Sequence, residues 1–238
     1  TMQDIDGPAT CSSAASMWAL PVAEYLGLRP QFIDSTMLGG SSFIAHLMPA
    51  MMALESGQCN AVLVCYGSTQ KTGTFSRKGM TDAFKLIDPL PYEHPYQPML
   101  PPTAYALAAS RHMHEFGTTR EQLAEVAVAA RGWAQLNPEA HMRDPLSIED
   151  VLNSRMIAYP FRLLQCCLVT DGGGALIMTS ADRARDFPQR PVYVLGTGES
   201  VETPMVSQME SFNSSRAFKV AGPTAFREAG ITHEDVDH

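Results

Sequence analysis

Apolar and polar positions along this chain fall into blocks that read alternately as helices and strands. Residues 14–26 (AASMWALPVAEYL) read as a helix stopped by Gly27, with Pro21 near its start or at a kink. Phe32-Ile33-Asp34 runs into the small residues Gly39-Gly40-Ser41-Ser42. An apolar helix over 42–55 follows, Gly57 closes it, and 61–66 reads as a buried strand. Residues 70–102 turn polar and then proline-rich (Pro89, Pro91, Pro95, Pro98, Pro101, Pro102). Such a long irregular excursion in a compact domain is usually functional or mobile. Helices return at 103–115, with Thr103 as N-cap and Gly117 as stop, and from Thr118 to about Asn137. Thr118 and Glu121 have capping-box spacing there, and 145–152 adds a short capped helix. Glycines 172–174 then feed a buried strand ending at Met178. A helical turn at 180–187, a strand at 191–196 (PVYVLG) and a helix at 214–229 stopped by Gly230 complete the series.

Two features stand out from that alternation. The stretch 31–57 reads as an elbow: glycines before a helix let the backbone turn sharply and approach a ligand closely, and the first N–H groups of the helix face whatever sits there. Elbows of this kind often carry a nucleophile, yet this tip offers only glycine and serine. The second feature is an echo. Glu234-Asp235-Val236-Asp237 near the end repeats the form of Gln3-Asp4-Ile5-Asp6 at the start, and both would follow a helix and lead towards a strand. A two-fold internal repeat, entered and left out of phase, accounts for it; coincidence is the alternative.

Composition narrows the function classes. Of 238 residues 45% are hydrophobic, enough for a substantial core, and 18% are charged, below the globular average of roughly 25%. Low charge with many methionines fits buried subunit contacts or a well-packed monomer equally. A net charge of −8 gives no general attraction to nucleic acid or anionic membrane. Five cysteines without paired CxxC spacing make neither a disulfide framework nor a zinc site, and a reducing cytoplasm suits them. No apolar run approaches the roughly 20 residues that cross a bilayer, and the start carries no signal peptide.

The segments DIDG (4–7), VAEYLGLRP (22–30), IDSTMLGGSSF (33–43), ALESGQCNAVLVCYGSTQ (53–70), YALAASRHMHEFG (105–117) and LLQCCLVTDGGGALIMTSADRAR (163–185), in this order, resemble the thiolase superfamily. Its thiolase-like lipid-transfer, or sterol-carrier-protein-type, branch is the nearest. The resemblance implies an α/β, layered αβαβα fold of two similar βαβαβαββ halves, in agreement with the echo. This chain would cover most of the first repeat and the start of the second. Residues 1–69 would form the first part of the N-terminal half, 70–160 a loop and helical excursion, 161–200 the closing strands and 201–238 the start of the C-terminal half. It also implies coenzyme A thioesters as substrates, with no cofactor and no metal. As partners it implies acyl-CoA and a homodimer, a thiolase-like partner or a small accessory subunit.

Counting back from Gly57 over a helix of the family's usual length puts the nucleophilic cysteine position at Gly40. A glycine forms no acyl-enzyme, and Ser41 and Ser42 read as N-caps before nucleophiles. The family's His and second Cys belong to the second repeat. Acyl transfer, or carbon–carbon cleavage of a β-hydroxyacyl-CoA by a retro-aldol route, is therefore expected. A non-catalytic acyl-CoA or lipid binder, or a scaffold subunit, is the alternative. Substrate-binding candidates are Gly39, Gly40, Ser41, Ser42, His94, Tyr96 and Tyr105; Arg77, Lys78 and Lys85 either meet coenzyme A phosphates or are solvated. Cys166 and Cys167 read as buried thiols, Met48, Met51 and Met52 as a core face, and Asp171-Gly172-Gly173-Gly174 as a tight strand entry before a phosphate cradle. His112 and His114, two apart on a helix, do not chelate together.

Overall fold

The run Ala61-Val62-Leu63-Val64 is buried throughout, and it is the axis on which the first part of the chain is built. The computed structural model describes residues 1–12, 17–72, 92–96, 98 and 101–237. Among them, strand β2 (Val62–Thr69) takes β1 (Gly7–Ala9) in parallel on one edge and β5 (Asp171–Met178) antiparallel on the other. Alternate side chains of a strand face opposite ways, and β2 uses both. Val62 and Val64 pack with Ala50, Ala53 and Leu54 of a helix, α3 (Leu47–Glu55). Ala61 and Leu63 pack with Ile5, Leu28 and Ala23 of helix α1 (Ala19–Tyr25). Helices on both faces of a sheet give the layered α/β arrangement expected of the family.

The chain divides into two compact units, 1–87 with 169–199 and 220–238, and 88–168 with 200–219. In the second unit α4 (Pro102–Phe116), α5 (Arg120–Leu136) and α6 (Ile148–Asn153) accompany a small hairpin of β3 (Met156–Ala158) and β4 (Phe161–Arg162). Ala124 of α5 and Val151 of α6 are its fully buried residues. The first unit also receives most of α7 (Arg216–Ala229).

Several expectations need correction. The helix over 42–55 is two pieces, α2 (Ser42–Ala45) and α3, with His46 between them. Pro49 has no N–H for the Ala45 carbonyl four residues back, and its ring crowds that carbonyl. The methionines are not the core face of this helix: Met48 and Met52 are exposed, while Ala50, Ala53 and Leu54 are buried. Thr103 is inside α4, whose N-cap is Pro101. Thr119 with Gln122, not Thr118 with Glu121, forms the capping box of α5, because the Thr118 hydroxyl is engaged with His112 Nδ1 at 2.8 Å. The glycines 172–174 are inside β5, as the tight-strand reading has it, but the strand is exposed along most of its length. Gly173 is needed there, since a Cβ would stand 2.6 Å from the Tyr66 carbonyl oxygen.

Among the described residues segment 191–196 forms no ladder, and Val192 is 94% exposed. It is instead followed by a close backbone approach to α7. A Cβ on Gly196 would meet the carbonyl oxygen of Ala225 at 2.5 Å, and one on Gly198 would strike that of Ala221. The two echoing segments share a local geometry. Thr1 and Asp4 form a capping box on a 3₁₀ turn (Met2–Asp4), and Thr232 and Asp235 form the same box on another (His233–Asp235). The residues that follow, Ile5 and Val236, share φ/ψ of −83°/115° and −95°/116°.

Gly198→Ala is expected to lower stability by about 1–3 kcal/mol through forced overpacking. Gly222→Ala, inside α7 with open space where its Cβ would go, is expected to raise it by up to about 1 kcal/mol. Thermal melts of the two variants against wild type check the opposite signs.

Candidate active site at the elbow

The elbow begins where Asp34 joins the sheet. Asp34 bridges Ala9 in parallel, giving its N–H to the Pro8 carbonyl and accepting the Thr10 N–H, each at 3.1 Å. Its backbone is thereby fixed, and its carboxylate gathers three donors. Oδ1 accepts the Thr36 N–H at 3.0 Å and the Thr36 hydroxyl at 2.8 Å, and Oδ2 lies 2.7 Å from His46 Nδ1. Burial pushes the Asp34 carboxyl up, but the bonds from His46 and Thr36 outweigh it and hold the group below the usual carboxylate range.

The turn itself is held from within. Gly39 has φ +79°, a left-handed conformation that glycine adopts without strain. Ser42 is buried, and its hydroxyl donates to the Gly39 carbonyl and accepts the Leu38 N–H, both at 2.7 Å. Such a hydroxyl is committed to the backbone and is no nucleophile. Ser41 stands at the N-cap position of α2, but its exposed hydroxyl turns back to the Leu38 carbonyl at 3.2 Å and caps no helix N–H. Gly40 is exposed, and a Cβ there would meet nothing within 4 Å. The elbow therefore presents a flat, open tip, with its polar side chains spent on holding the turn.

Beneath the tip lies His46, 0% exposed. Its ring meets Phe43 edge-on at 5.9 Å, and Phe43 leans on Tyr66 of β2 at 4.8 Å. His46 Nε2 is buried and has no hydrogen-bond partner among the described residues. Asp34 and His46 are the two residues of this site that sequence reasoning missed. They stand 12 positions apart, in a strand-like segment and a helix, a separation that matches no spacing motif.

Gly39, Gly40, Ser41 and Ser42 are thus brought together in the first unit. Tyr96 and Tyr105 belong to the second unit, where they are 85% and 60% exposed. His94 opens a short 3₁₀ turn, His94–Tyr96; its side chain, with Arg77, Lys78 and Lys85, lies outside the described residues. Cys167 is exposed and Cys166 only half-buried, which corrects their reading as buried thiols; burial still pushes the Cys166 thiol up. Among the described residues no three or more His, Cys, Asp or Glu side chains gather as a metal site, and no helix is long and apolar enough to cross a membrane.

No family model matches the chain. It is 34% identical over 226 residues to the acetyl-CoA acetyltransferase of Methanothermobacter thermautotrophicus, covering 91% of this chain and 55% of that protein. It is also 34% identical over 205 residues to the steroid side-chain-cleaving aldolase of Thermomonospora curvata, covering 82% of this chain and 51% of that one. The solved Ltp2-ChsH2(DUF35) aldolase superposes on 99% of this chain with a TM-score of 0.81 at 28% identity, and 61% of that chain is covered. A monomeric SCP2-thiolase-like protein of Mycobacterium smegmatis shares the fold, with a TM-score of 0.72 at 22% identity over 99% of this chain and 50% of that one. The chain thus spans about half the length of the curated relatives it matches.

The Asp34 carboxyl titrates lower in the folded chain than in the unfolded one. Its contribution is complete above the unfolded value, about 4, and is lost as pH falls through the folded value. Hydrogen exchange at residues 36–46, corrected for intrinsic rates, is expected to lose protection below about pH 4. Asp34→Asn is expected to show weakened protection already near neutrality and no such acid step.

Proposed function

The chain belongs to the thiolase superfamily, in its SCP2-thiolase-like branch, and from that premise we propose that it serves an enzyme of acyl-CoA thioesters whose thioester meets the elbow at Gly39–Ser42. The observation that carries this reading is the open Gly40 tip, where backbone can reach a ligand with no side chain between. The same tip argues against an acyl-enzyme. Gly40 stands at the expected nucleophile position, and the neighbouring Ser42 hydroxyl is already spent on Leu38 and Gly39.

A route without covalent attachment fits these residues. In retro-aldol cleavage of a β-hydroxyacyl-CoA, a base takes the hydroxyl proton and the Cα–Cβ bond breaks. The bond's electrons pass to the thioester as an enolate while a ketone or aldehyde departs. Protonation of the enolate at carbon then leaves the shortened acyl-CoA. Catalysis of this kind asks for a positioned base and for donors to the thioester oxygen. The relatives support carbon–carbon cleavage as well as acyl transfer: one bears the name of an acetyltransferase, and another is named a side-chain-cleaving aldolase. The solved aldolase is named for Ltp2 together with ChsH2(DUF35), and a small accessory subunit is the partner we assign to this chain. A binding or scaffold role without catalysis is favoured by the same Gly40, and the second repeat would decide it by the presence or absence of an acid–base residue.

Two outcomes are expected with the complete protein. Intact-mass analysis after incubation with acetyl-CoA shows no adduct on peptide 31–57; acetylated Ser41 or Ser42 would end the non-covalent reading. Gly40→Val keeps the fold, since its Cβ meets open space, but weakens acetyl-CoA binding in calorimetry by about tenfold or more. Equal affinity in the two folded proteins would leave the elbow a structural turn only.

A further inference from the structure

We infer that His46 is a positioning residue: sealed beneath the elbow, it sets through Asp34 the geometry of the turn that, on the reading above, meets the thioester. The inference rests on that reading for what the turn binds, and on the following geometry for how the turn is held.

The ties inside the elbow are short. Ser42 reaches back three and four residues to Gly39 and Leu38, Ser41 reaches three, and Thr36 two. Of these only Thr36 reaches Asp34, at the strand-side foot, and none ties the helix side of the turn to the sheet. The Asp34–His46 contact spans 12 residues and joins the strand-side foot of the loop to its helix-side foot at 2.7 Å. Asp34 is itself anchored on β1 by two backbone bonds. The helix side needs such a tie, because α2 has only four residues and is separated from α3 at His46. A helix so short does not hold its own direction.

Packing alone does not account for an imidazole here. The ring is fully buried. Nδ1 is engaged with Asp34 while Nε2 meets no partner among the described residues, so the site carries the penalty of an unsatisfied buried polar atom. An apolar side chain of similar size would fill the space without that penalty, and would leave Asp34 without its donor. What the histidine adds is the directed bond to the carboxylate.

The test uses the complete protein with four variants, His46→Leu, His46→Asn, Asp34→Asn and the double variant Asp34→Asn/His46→Leu. An asparagine amide stands close to where imidazole Nδ1–H was, so His46→Asn restores the bond while removing Nε2. His46→Leu is expected to speed amide exchange at residues 36–46 about tenfold or more while strand β2 stays protected, and to weaken acetyl-CoA binding about tenfold. His46→Asn is expected to recover both to within about threefold. The double variant is expected to be no worse than the worse single one, as for partners in one interaction. The inference is overturned if Leu and Asn behave alike, or if exchange in β2 rises as much as in the elbow, which is the mark of a merely structural role. If His46→Leu does not fold, Asp34→Asn against His46→Asn makes the same comparison. Failure of wild type to bind acetyl-CoA would remove the proposed ligand alone, because the exchange measurements judge the positioning without it.

Discussion

The elbow of this molecule is tied to the sheet through one residue that carries a carboxylate. Asp34 is in the sheet by its backbone and in the elbow by its side chain, so one residue transmits the rigidity of buried strands to an exposed turn. The sheet end of that connection is stiff because β2 is packed from both sides, Val62 and Val64 against α3 and Leu63 against Ile5, Leu28 and α1. The turn end is stiff because Ser42 closes the Leu38–Gly39 backbone on itself. Between them the chain keeps an exposed glycine at a defined place, which neither a free loop nor a continuous helix would do.

Much of the fold was legible in the sequence where the cause was local. Gly27, Gly57, Gly117 and Gly230, read as helix stops, all have positive φ, because a left-handed residue is a common way to end a helix and glycine adopts it from its own backbone freedom. The likeness of residues 3–6 to 234–237 was legible as an echo, and the Asp4 and Asp235 within it each close a four-residue capping box with a threonine three positions earlier. What escaped was set by tertiary partners. Thr118 loses its capping role to a histidine on the preceding helix. PVYVLG has strand-forming residues and no ladder among the described residues. The methionines of α3 follow the helix into the sheet only as far as the face that its alanines and Leu54 claim.

The elbow divides in the same way. Gly39, Gly40, Ser41 and Ser42 announced themselves as a cluster of small residues before an apolar run, and they are together in the folded chain. Asp34 and His46 gave no such notice, since their pairing needs the parallel bridge to β1 before it means anything. The Pro49 break could be read from the sequence, and it is the signal that a residue near position 46 would have to secure the helix by its side chain.

The bare PVYVLG segment has a practical side. Val192, Tyr193 and Leu195 stand in solvent, and in the exposed β5 Leu176 and Ile177 are also uncovered. Apolar strand-forming runs with free backbone are templates for other chains. Handled as a separate molecule, these 238 residues would therefore be sticky, and the concentration at which they are kept would govern what is purified as much as the sequence does.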